Sequence, residues 1–227
     1  VSYTISFFGY LYMFSEVALA LESQLRQPLP GSLAQRKMRP YLPSMPNLDI
    51  PSSPFAKESA VMALLYPKEN QPSILLIERN VYTGAHSGQI SLPGGKLEKN
   101  ETYQEAAIRE TMEEVGVKNS EFQIIGELSK IYVAASNFNI QPFVAISDSP
   151  LQIYPDSREV AQVLEIPLEF FFDMKLRKEK LIKSAMGMEL MAPYFDVNNK
   201  TLWGATAMIL SELVEIIQLS KQDFLKY

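Results

Sequence analysis

Cysteine is absent from the 227 residues of this chain. Disulfide bonds, thiolate metal ligands and cysteine nucleophiles are therefore excluded, and a reducing, cytoplasmic location is expected. Basic residues are not in excess either: the chain has 21 lysines and arginines against 26 acidic residues, which gives a net charge of −5. Proteins that bind nucleic acids generally need a basic face, so we expect no nucleic acid as partner.

Long hydrophobic runs are also missing. The apolar opening, "VSYTISFFGYLYMF", lacks the basic start of a signal peptide and is shorter than the roughly 20 residues that cross a bilayer. We therefore expect no membrane partner. Met13 is the expected natural start of the protein, which mass spectrometry of the native N-terminus can test.

The first part of the chain differs in pattern from the rest. Helical spacing of apolar residues extends from Met13 to about Arg36, and the next stretch, "RPYLPSMPNLDIPSSP", carries five prolines and predicts an extended arm. We expect residues 1–55 to form an N-terminal extension that packs on the surface of a domain formed by residues 56–227. A share in a homodimer interface or in a substrate cleft is the alternative.

Short apolar runs in the second part predict strands. "AVMALLYP" and "SILLIER" predict a strand pair, "FQIIGELS", "YVAAS" and "IQPFVAI" predict further strands, and "MELMAPYFDV" with "KTLWG" predicts a hairpin turned at Asn198 and Asn199. "IPLEFFFD" predicts a short helix, and Ala205 to about Leu219 a long one. Mixed strands around one central helix, with a second helix at the end, indicate an α/β/α sandwich or a related α+β domain.

The central helix carries three glutamates within five residues. Thr102 is a suitable N-cap and Glu105 completes a capping box, so the helix begins just after a glycine-rich loop. At about 100° per residue, Glu110, Glu113 and Glu114 fall within about 100° of one another and share one face. Carboxylates this close repel one another, and a divalent cation would relieve the repulsion.

The other positions of this helix predict how it packs. Ile108, Met112 and Val115 fall opposite the glutamates and are expected in the core. Ala106 and Ala107 are expected on the glutamate side, where small side chains leave room for a ligand.

Two interpretations of the glutamates stay open at this point. A solvated acidic face usually includes lysines at i+4, but the only basic residue of this helix is Arg109, which can pair with Glu113. A metal site built from oxygen ligands favours magnesium, manganese or calcium. Gly94 and Gly95 support the second interpretation, because they allow backbone N–H groups close to an anion such as a phosphate.

This segment resembles the signature of the Nudix hydrolases. The matching residues are Gly95, Glu101, Arg109, Glu110, Glu113, Glu114, Gly116 and Val117, and the one departure is Thr111 at an aliphatic position. The resemblance implies a Nudix-type α/β/α sandwich with a mixed sheet, and hydrolysis of a nucleoside diphosphate linked to another group. It implies Mg²⁺ or Mn²⁺ as cofactor.

The same resemblance implies roles for single residues. Glu110 and Glu114 are expected as the principal metal ligands, with help from Glu113 and the carbonyl group of Gly95. Arg109 is expected to hold a glutamate, Glu113 in particular, and Glu101 to support the loop or an outer metal. Glu113, Glu114, Arg109 and Glu159 form the expected catalytic set, in which Glu159 binds a metal or acts as general base.

A second pattern just upstream narrows the expected substrate. "LLIERNVYTGAHSGQISLPGG" resembles the pattern of coenzyme A diphosphatases, with a glycine at position 84 where an arginine is usual. Arg79, His86, Gly94 and Gly95 are the expected contacts to the substrate. "SREVAQVLEIPL" and "PYFDVNNKTLWGATAMIL" resemble further segments of the same subfamily. Trp203, the only tryptophan, is expected in the core, with base stacking as the alternative.

The sequence thus predicts a metal-dependent diphosphatase whose partner is a small nucleotide, most simply coenzyme A. The alternatives are a Nudix enzyme for ADP-ribose or a dinucleotide, and a non-enzymatic domain that senses nucleotides.

Overall fold

The computed structural model describes residues 18–46, 50–69, 71–81, 87–183 and 187–224. Met13 and the residue at position 84 lie outside these ranges, as does His86. The helices are α1, which includes residues 18–25, α2 (Ser32–Gln35), α3 (Tyr103–Val115) and α4 (Gly204–Phe224). Short 3₁₀ turns cover Arg36–Met38, Asn119–Glu121, Leu168–Phe171 and Met174–Leu176.

Eleven strands lie in the described residues and form two sheets. The larger sheet contains β1 (Lys57–Lys68), β2 (Gln71–Arg79), β3 (Ile90–Ser91), β4 (Gly94–Lys96), β5 (Gln123–Glu127), β6 (Ile131–Val133), β7 (Phe138–Ile146) and β8 (Val160–Pro167). The smaller sheet contains β9 (Arg177–Lys183), β10 (Glu189–Val197) and β11 (Lys200–Trp203) in the order β11-β10-β9.

The larger sheet is mixed. Its main path runs β3-β2-β1-β7-β5, with β1 parallel to β7 and antiparallel to β2, while β4, β6 and β8 pair with β1, β7 and β2. One face of this sheet packs against α3, and the other face packs in a core that includes α4. The predicted α/β/α sandwich of the α+β class is thereby confirmed.

Most predicted elements of the domain appear where the apolar patterns place them. The Asn198 and Asn199 turn joins β10 and β11, and both residues have positive φ angles of 52° and 64°, which asparagine tolerates better than most residues. Helix α3 begins with the predicted capping box, since the Glu105 N–H donates to the Thr102 side chain and the Glu105 carboxylate accepts from the Thr102 N–H. The patterns did not predict β3, β4, β8 or β9.

The predicted packing of α3 is wrong in part. Met112 is 41% exposed, whereas Ala106 and Ala107 are fully buried against the sheet. The small alanine side chains allow the helix to approach β1 closely, so the buried stripe follows Ala107, Thr111 and Val115 and leaves the larger methionine outside. The alanines therefore leave no room for a ligand.

The described part of the N-terminal extension packs on α4. Leu21, Leu25 and Met38 lie in the core that α4 shares with the large sheet. Among residues 39–46 and 50–54 the chain forms no helix or strand, only isolated bridges such as that between Tyr41 and Met191. This irregular conformation agrees with the predicted extended arm. The boundary between residues 55 and 56 stays a prediction.

Candidate active site

The glycine loop, α3 and the end of β2 meet at one end of the large sheet. Gly94 and Gly95 of β4 lie opposite Val61 and Ala60 of β1. Arg79 is the last residue of β2, where the pairing with β8 contains an irregularity. The extra residue at this irregularity is Ala161, so the bulge lies in β8 and the pairing continues on both sides of it.

Glu114 is the most buried carboxylate of this end of the sheet, with a side chain that is 1% exposed. Its Oε1 accepts a hydrogen bond from the Arg79 guanidinium at 3.0 Å, and its Oε2 accepts one from the Gly94 N–H at 2.8 Å. The loop, the strand and the helix are therefore joined through a single carboxylate.

The protonation of this carboxylate is perturbed. Burial raises the pKa of Glu114 to about 7, against the lowering effect of Arg79 and the Gly94 N–H, and the charges of Glu110 and Glu159 raise it further. The pKa of Glu110 is also raised, mainly by burial and in part by Glu113 and Glu159. Groups with such shifts concentrate at functional sites.

Both loop glycines are required by close contacts. A Cβ atom on Gly95 would lie 2.3 Å from Oε1 of Glu110, and one on Gly94 would lie 2.3 Å from the carbonyl oxygen of Ala60. Gly94 also has a φ of 148°, which side chains rarely adopt. The loop can thus pack directly on the carboxylate of Glu110.

Arg109 links the acidic residues around the loop. Its Nε and one terminal nitrogen donate to the two carboxylate oxygens of Glu101 at 2.8 and 3.0 Å, and the other terminal nitrogen donates to Glu110 at 2.9 Å and to Glu113 at 3.1 Å. It also donates to the carbonyl oxygen of Lys96 at 3.1 Å. The expected contact of Arg109 with Glu113 is present. The bidentate contact, however, is with Glu101, so Arg109 fixes the loop as well as the helix.

Glu159 lies in the predicted loop, in the turn just before β8. Its carbonyl oxygen accepts from the N–H of Asn80, the residue after Arg79, and its carboxylate is near enough to raise the pKa of Glu110 and Glu114. The fold therefore brings it to the same end of the sheet as the α3 glutamates.

The carboxylates of Glu110, Glu114 and Glu159 offer the oxygen ligands that a hard divalent cation prefers. The pKa values of Glu110 and Glu114 are raised by burial and by neighbouring negative charge, which a cation would neutralise. Within the described residues, however, no three acidic or histidine side chains form a ready metal cluster. Arg79 and Arg109 hold the carboxylates in ion pairs here, so these arginines would have to release them for a cation to bind.

The remaining predictions for single residues concern Trp203 and His86. Trp203 is half-buried at the end of β11, in the smaller sheet. The sequence reasoning missed the direct pairing of Arg79 with Glu114, because the two residues are 35 positions apart and their patterns carry no signal of contact. The prediction for His86 falls outside the described residues.

Comparison with known proteins places the chain in a family. Residues 56–179, more than half of the chain, match the NUDIX domain family. A Caenorhabditis elegans protein named Nudix hydrolase 3 is 28% identical over 181 residues, which cover 70% of this chain and 74% of the relative. A Yersinia enterocolitica protein named Uncharacterized Nudix hydrolase NudL is 26% identical over 200 residues, which cover 86% and 90%.

A solved structure, the Nudix hydrolase RenU from M. smegmatis, aligns with a TM-score of 0.48 at 18% identity and covers 72% of this chain and 87% of its own. No helix in the described ranges combines the length and the apolar character that crossing a membrane requires. On the strength of the family match over residues 56–179, the chain belongs to the Nudix family and is a hydrolase of that family.

Proposed function

We propose that this enzyme hydrolyses the diphosphate of coenzyme A or its derivatives in a reaction that depends on Mg²⁺ or Mn²⁺. The products are 3′,5′-ADP and 4′-phosphopantetheine. The reaction takes place in the cytoplasm and is carried by residues 56–227. Residues 1–55 form an extension that packs on the surface of this domain, with a share in a homodimer interface or in the substrate cleft as the alternative.

The observation that carries the proposal is the buried carboxylate of Glu114 between an arginine and two further acidic groups. Its contact with Arg79 supports the proposal, because a diphosphate could accept hydrogen bonds from this arginine once a cation takes up the carboxylate. On a solvated acidic face the glutamates would stay exposed, because burying a charge to 1% exposure costs free energy.

Glu110 and Glu114 would hold the cation, with Glu113 and the carbonyl oxygen of Gly95 as further ligands. A bound Mg²⁺ or Mn²⁺ supplies neutralisation of the phosphoryl oxygens and lowers the pKa of water. The carboxylates provide the oxygen ligands that such cations prefer.

The chain's own residues divide the remaining tasks. Arg79 binds a phosphoryl oxygen, and His86 donates a second hydrogen bond to the diphosphate. The Gly94 N–H fixes the orientation of the Glu114 carboxylate. Glu159 accepts the proton of the attacking water as general base.

Arg109 keeps Glu101, Glu110 and Glu113 in place. It acts through the glutamates, so it is a positioning residue.

The choice of coenzyme A rests on the upstream pattern from Leu75 to Gly95. Arg79, Gly94 and Gly95 of that pattern lie together at the site. The glycine at position 84 removes one expected cationic contact, so we expect the enzyme to bind coenzyme A less tightly than an enzyme that keeps the arginine.

A substrate panel tests the proposal. Coenzyme A, ADP-ribose and a dinucleotide are supplied at equal concentration with Mg²⁺ or Mn²⁺, and the products are identified by mass spectrometry. We expect 3′,5′-ADP and 4′-phosphopantetheine from coenzyme A at the highest kcat/KM, and no product in EDTA. Preference for ADP-ribose or the dinucleotide would overturn the substrate, and binding without any turnover would support a nucleotide sensor instead.

A further inference from the structure

The turn that carries Glu159 is hydrogen-bonded at both partners of the ion pair between Arg79 and Glu114. On the helix side, the Asp156 N–H donates to the carbonyl oxygen of Glu114 at 3.0 Å. On the strand side, the N–H of Asn80, the residue after Arg79, donates to the carbonyl oxygen of Glu159 at 2.9 Å. These backbone contacts and the ion pair form a closed ring that places the turn relative to the site.

Asn80 contacts the turn through its side chain as well. Its Nδ2 donates to the carbonyl oxygen of Ser157 at 2.8 Å. Asn80 therefore binds two carbonyl groups of the turn, those of Ser157 and Glu159, and the turn is joined to the end of β2 at two points. Both contacts go to the backbone, so they do not use the Glu159 carboxylate.

The bulge in β8 decides which residue meets Asn80. Arg79 pairs with Val160 because Ala161 is an extra residue in β8. In an unbroken pairing, Val160 would lie opposite Asn80. The bulge advances the chain by one residue and brings Glu159 to that place instead.

Hydrogen bonds within the turn make its residues move together. The N–H groups of Glu159 and Val160 both donate to the carbonyl oxygen of Asp156, at 3.0 and 2.9 Å. The Asp156 carboxylate accepts from the backbone N–H of Arg158 at 2.9 Å and from its guanidinium at 3.0 Å. A shift at Ser157 would therefore be passed on to Glu159.

Repulsion between carboxylates gives these hydrogen bonds a purpose. Glu159 is exposed, and its charge is near enough to Glu110 and Glu114 to raise the pKa of both. Like charges push the turn outward. The neutral side chain of Asn80 opposes this movement without neutralising any of the three carboxylates.

We propose that Asn80 is a positioning residue that holds Glu159 in place relative to Arg79 and to the glutamates of α3. Arg79 and Asn80 are consecutive, so one strand end sets both the phosphate contact and the base. A general base acts only within hydrogen-bond reach of the proton it accepts, and a displacement of about 1 Å can cost about 100-fold in rate. The inference rests on the proposed function, in which Glu159 accepts the proton of the attacking water.

Hydrogen exchange tests the contact without metal or substrate. Asn80→Ala removes the side-chain contact to Ser157 and keeps the backbone N–H. In EDTA we expect the amides of Glu159 and Val160 to exchange about tenfold faster, with the amides of α3 unchanged. Unchanged exchange in the turn would overturn the inference. Faster exchange throughout the protein would overturn it too, since Asn80 would then stabilise the whole fold.

Kinetics test the role in catalysis. Asn80→Ala should lower kcat about tenfold and leave KM within about twofold, because Arg79 is kept. Glu159→Gln should lower kcat on the order of 10²-fold or more. The double variant should be no slower than Glu159→Gln alone, because Asn80 acts through Glu159. A further tenfold loss (about the size of the single effect) in the double variant would overturn the inference, since the two residues would then act independently.

Asn119→Ala is the matched control, because it removes the same side chain from an exposed turn that follows α3. It should keep the kcat, the KM and the exchange rates of the unaltered protein. Equal losses in Asn119→Ala and Asn80→Ala would overturn the inference.

The choice of substrate separates the failure of this inference from failure of the proposed function. The kinetic series uses the compound of the substrate panel that has the highest kcat/KM. If that compound is ADP-ribose or the dinucleotide, the proposed substrate fails and the series still decides the role of Asn80. If Glu159→Gln keeps full kcat, Glu159 is not the base, and the inference fails with that assignment.

Discussion

Among the residues that the structure describes, two glutamates are almost completely buried, and their surroundings differ. Glu212 of α4 is 0% exposed and accepts hydrogen bonds from the Gly31 N–H at 3.1 Å, the Gln35 side chain at 2.9 Å and the Ser129 N–H at 3.3 Å. All three of these donors are uncharged. Glu212 therefore joins the N-terminal extension, a loop and α4 without a charged partner among these contacts.

Glu114 has equally little exposure but accepts from an arginine and a single backbone N–H, with Glu110 and Glu159 nearby. Its neighbours repel its charge, and its pKa is raised to about 7. Burial alone thus does not identify a functional carboxylate. The two residues differ in whether nearby groups satisfy the charge or add to it, and variants of Glu114 and Glu212 test that difference.

The largest effect is expected from Glu114→Gln. The amide keeps the size of the side chain but removes the charge that a cation needs, so kcat/KM should fall on the order of 10³-fold or more. The urea midpoint should stay at or above that of the unaltered protein. Glu127→Gln, an exposed change of the same kind on β5, should keep full activity. Near-normal turnover in Glu114→Gln would remove Glu114 from the metal site.

Glu212→Ala should act on stability instead. The change leaves the donors of Gly31, Gln35 and Ser129 without their acceptor, and we expect a loss of about 3 kcal/mol in the free energy of unfolding measured by urea. Glu212→Gln, which keeps one carbonyl oxygen, should lose less. The folded fraction of either variant should keep kcat. A selective loss of kcat in a fully folded Glu212→Gln protein would contradict a purely structural role.

The pH dependence of stability should distinguish Glu114 in the metal-free protein. Its pKa is about 7 in the folded state and 4.5 ordinarily, so between these values the folded state holds a proton that the unfolded chain has released. The resulting stability is present in full below pH 4.5 and is lost as the pH rises through 7. We expect up to about 3 kcal/mol of this loss to disappear in Glu114→Gln. Parallel stability curves for the two proteins would be incompatible with the raised pKa.

Met112→Lys should have the smallest effect. Met112 is 41% exposed on α3, so a charged side chain can extend into solvent, and the free energy of unfolding should change by less than about 0.5 kcal/mol. Val115→Lys is the contrasting variant, because Val115 is fully buried and the same change should prevent stable folding. Strong destabilisation by Met112→Lys would restore the packing that the sequence predicted.

The sequence predicted most elements of the domain because each has a local signal. The capping box at Thr102 and Glu105 fixed the start of α3, and the two asparagines fixed the turn between β10 and β11. Strand β9 was missed since "RKEKLIK" has mostly charged residues, and an edge strand needs few apolar ones.

The sequence predicted the members of the candidate site better than their environment. Helical spacing grouped the three glutamates, but it could not say that Glu114 is 1% exposed while the side chain of Glu113 is 58% exposed. The spacing treated Met112 as a core residue because it is large and apolar. The close approach of α3 to β1 instead buries the small alanines and leaves Met112 exposed.

The sequence by itself determined the chemistry available here: oxygen ligands on one helix after a glycine-rich loop, with no cysteine to offer another kind of site. These features are local, so spacing and composition suffice to find them. Only the tertiary structure decided which carboxylate is buried, that Arg79 pairs with Glu114, and that Trp203 is only half-buried at the end of β11. Those properties depend on contacts between distant parts of the chain, because burial and charge pairing arise only when the sheets and helices have packed together.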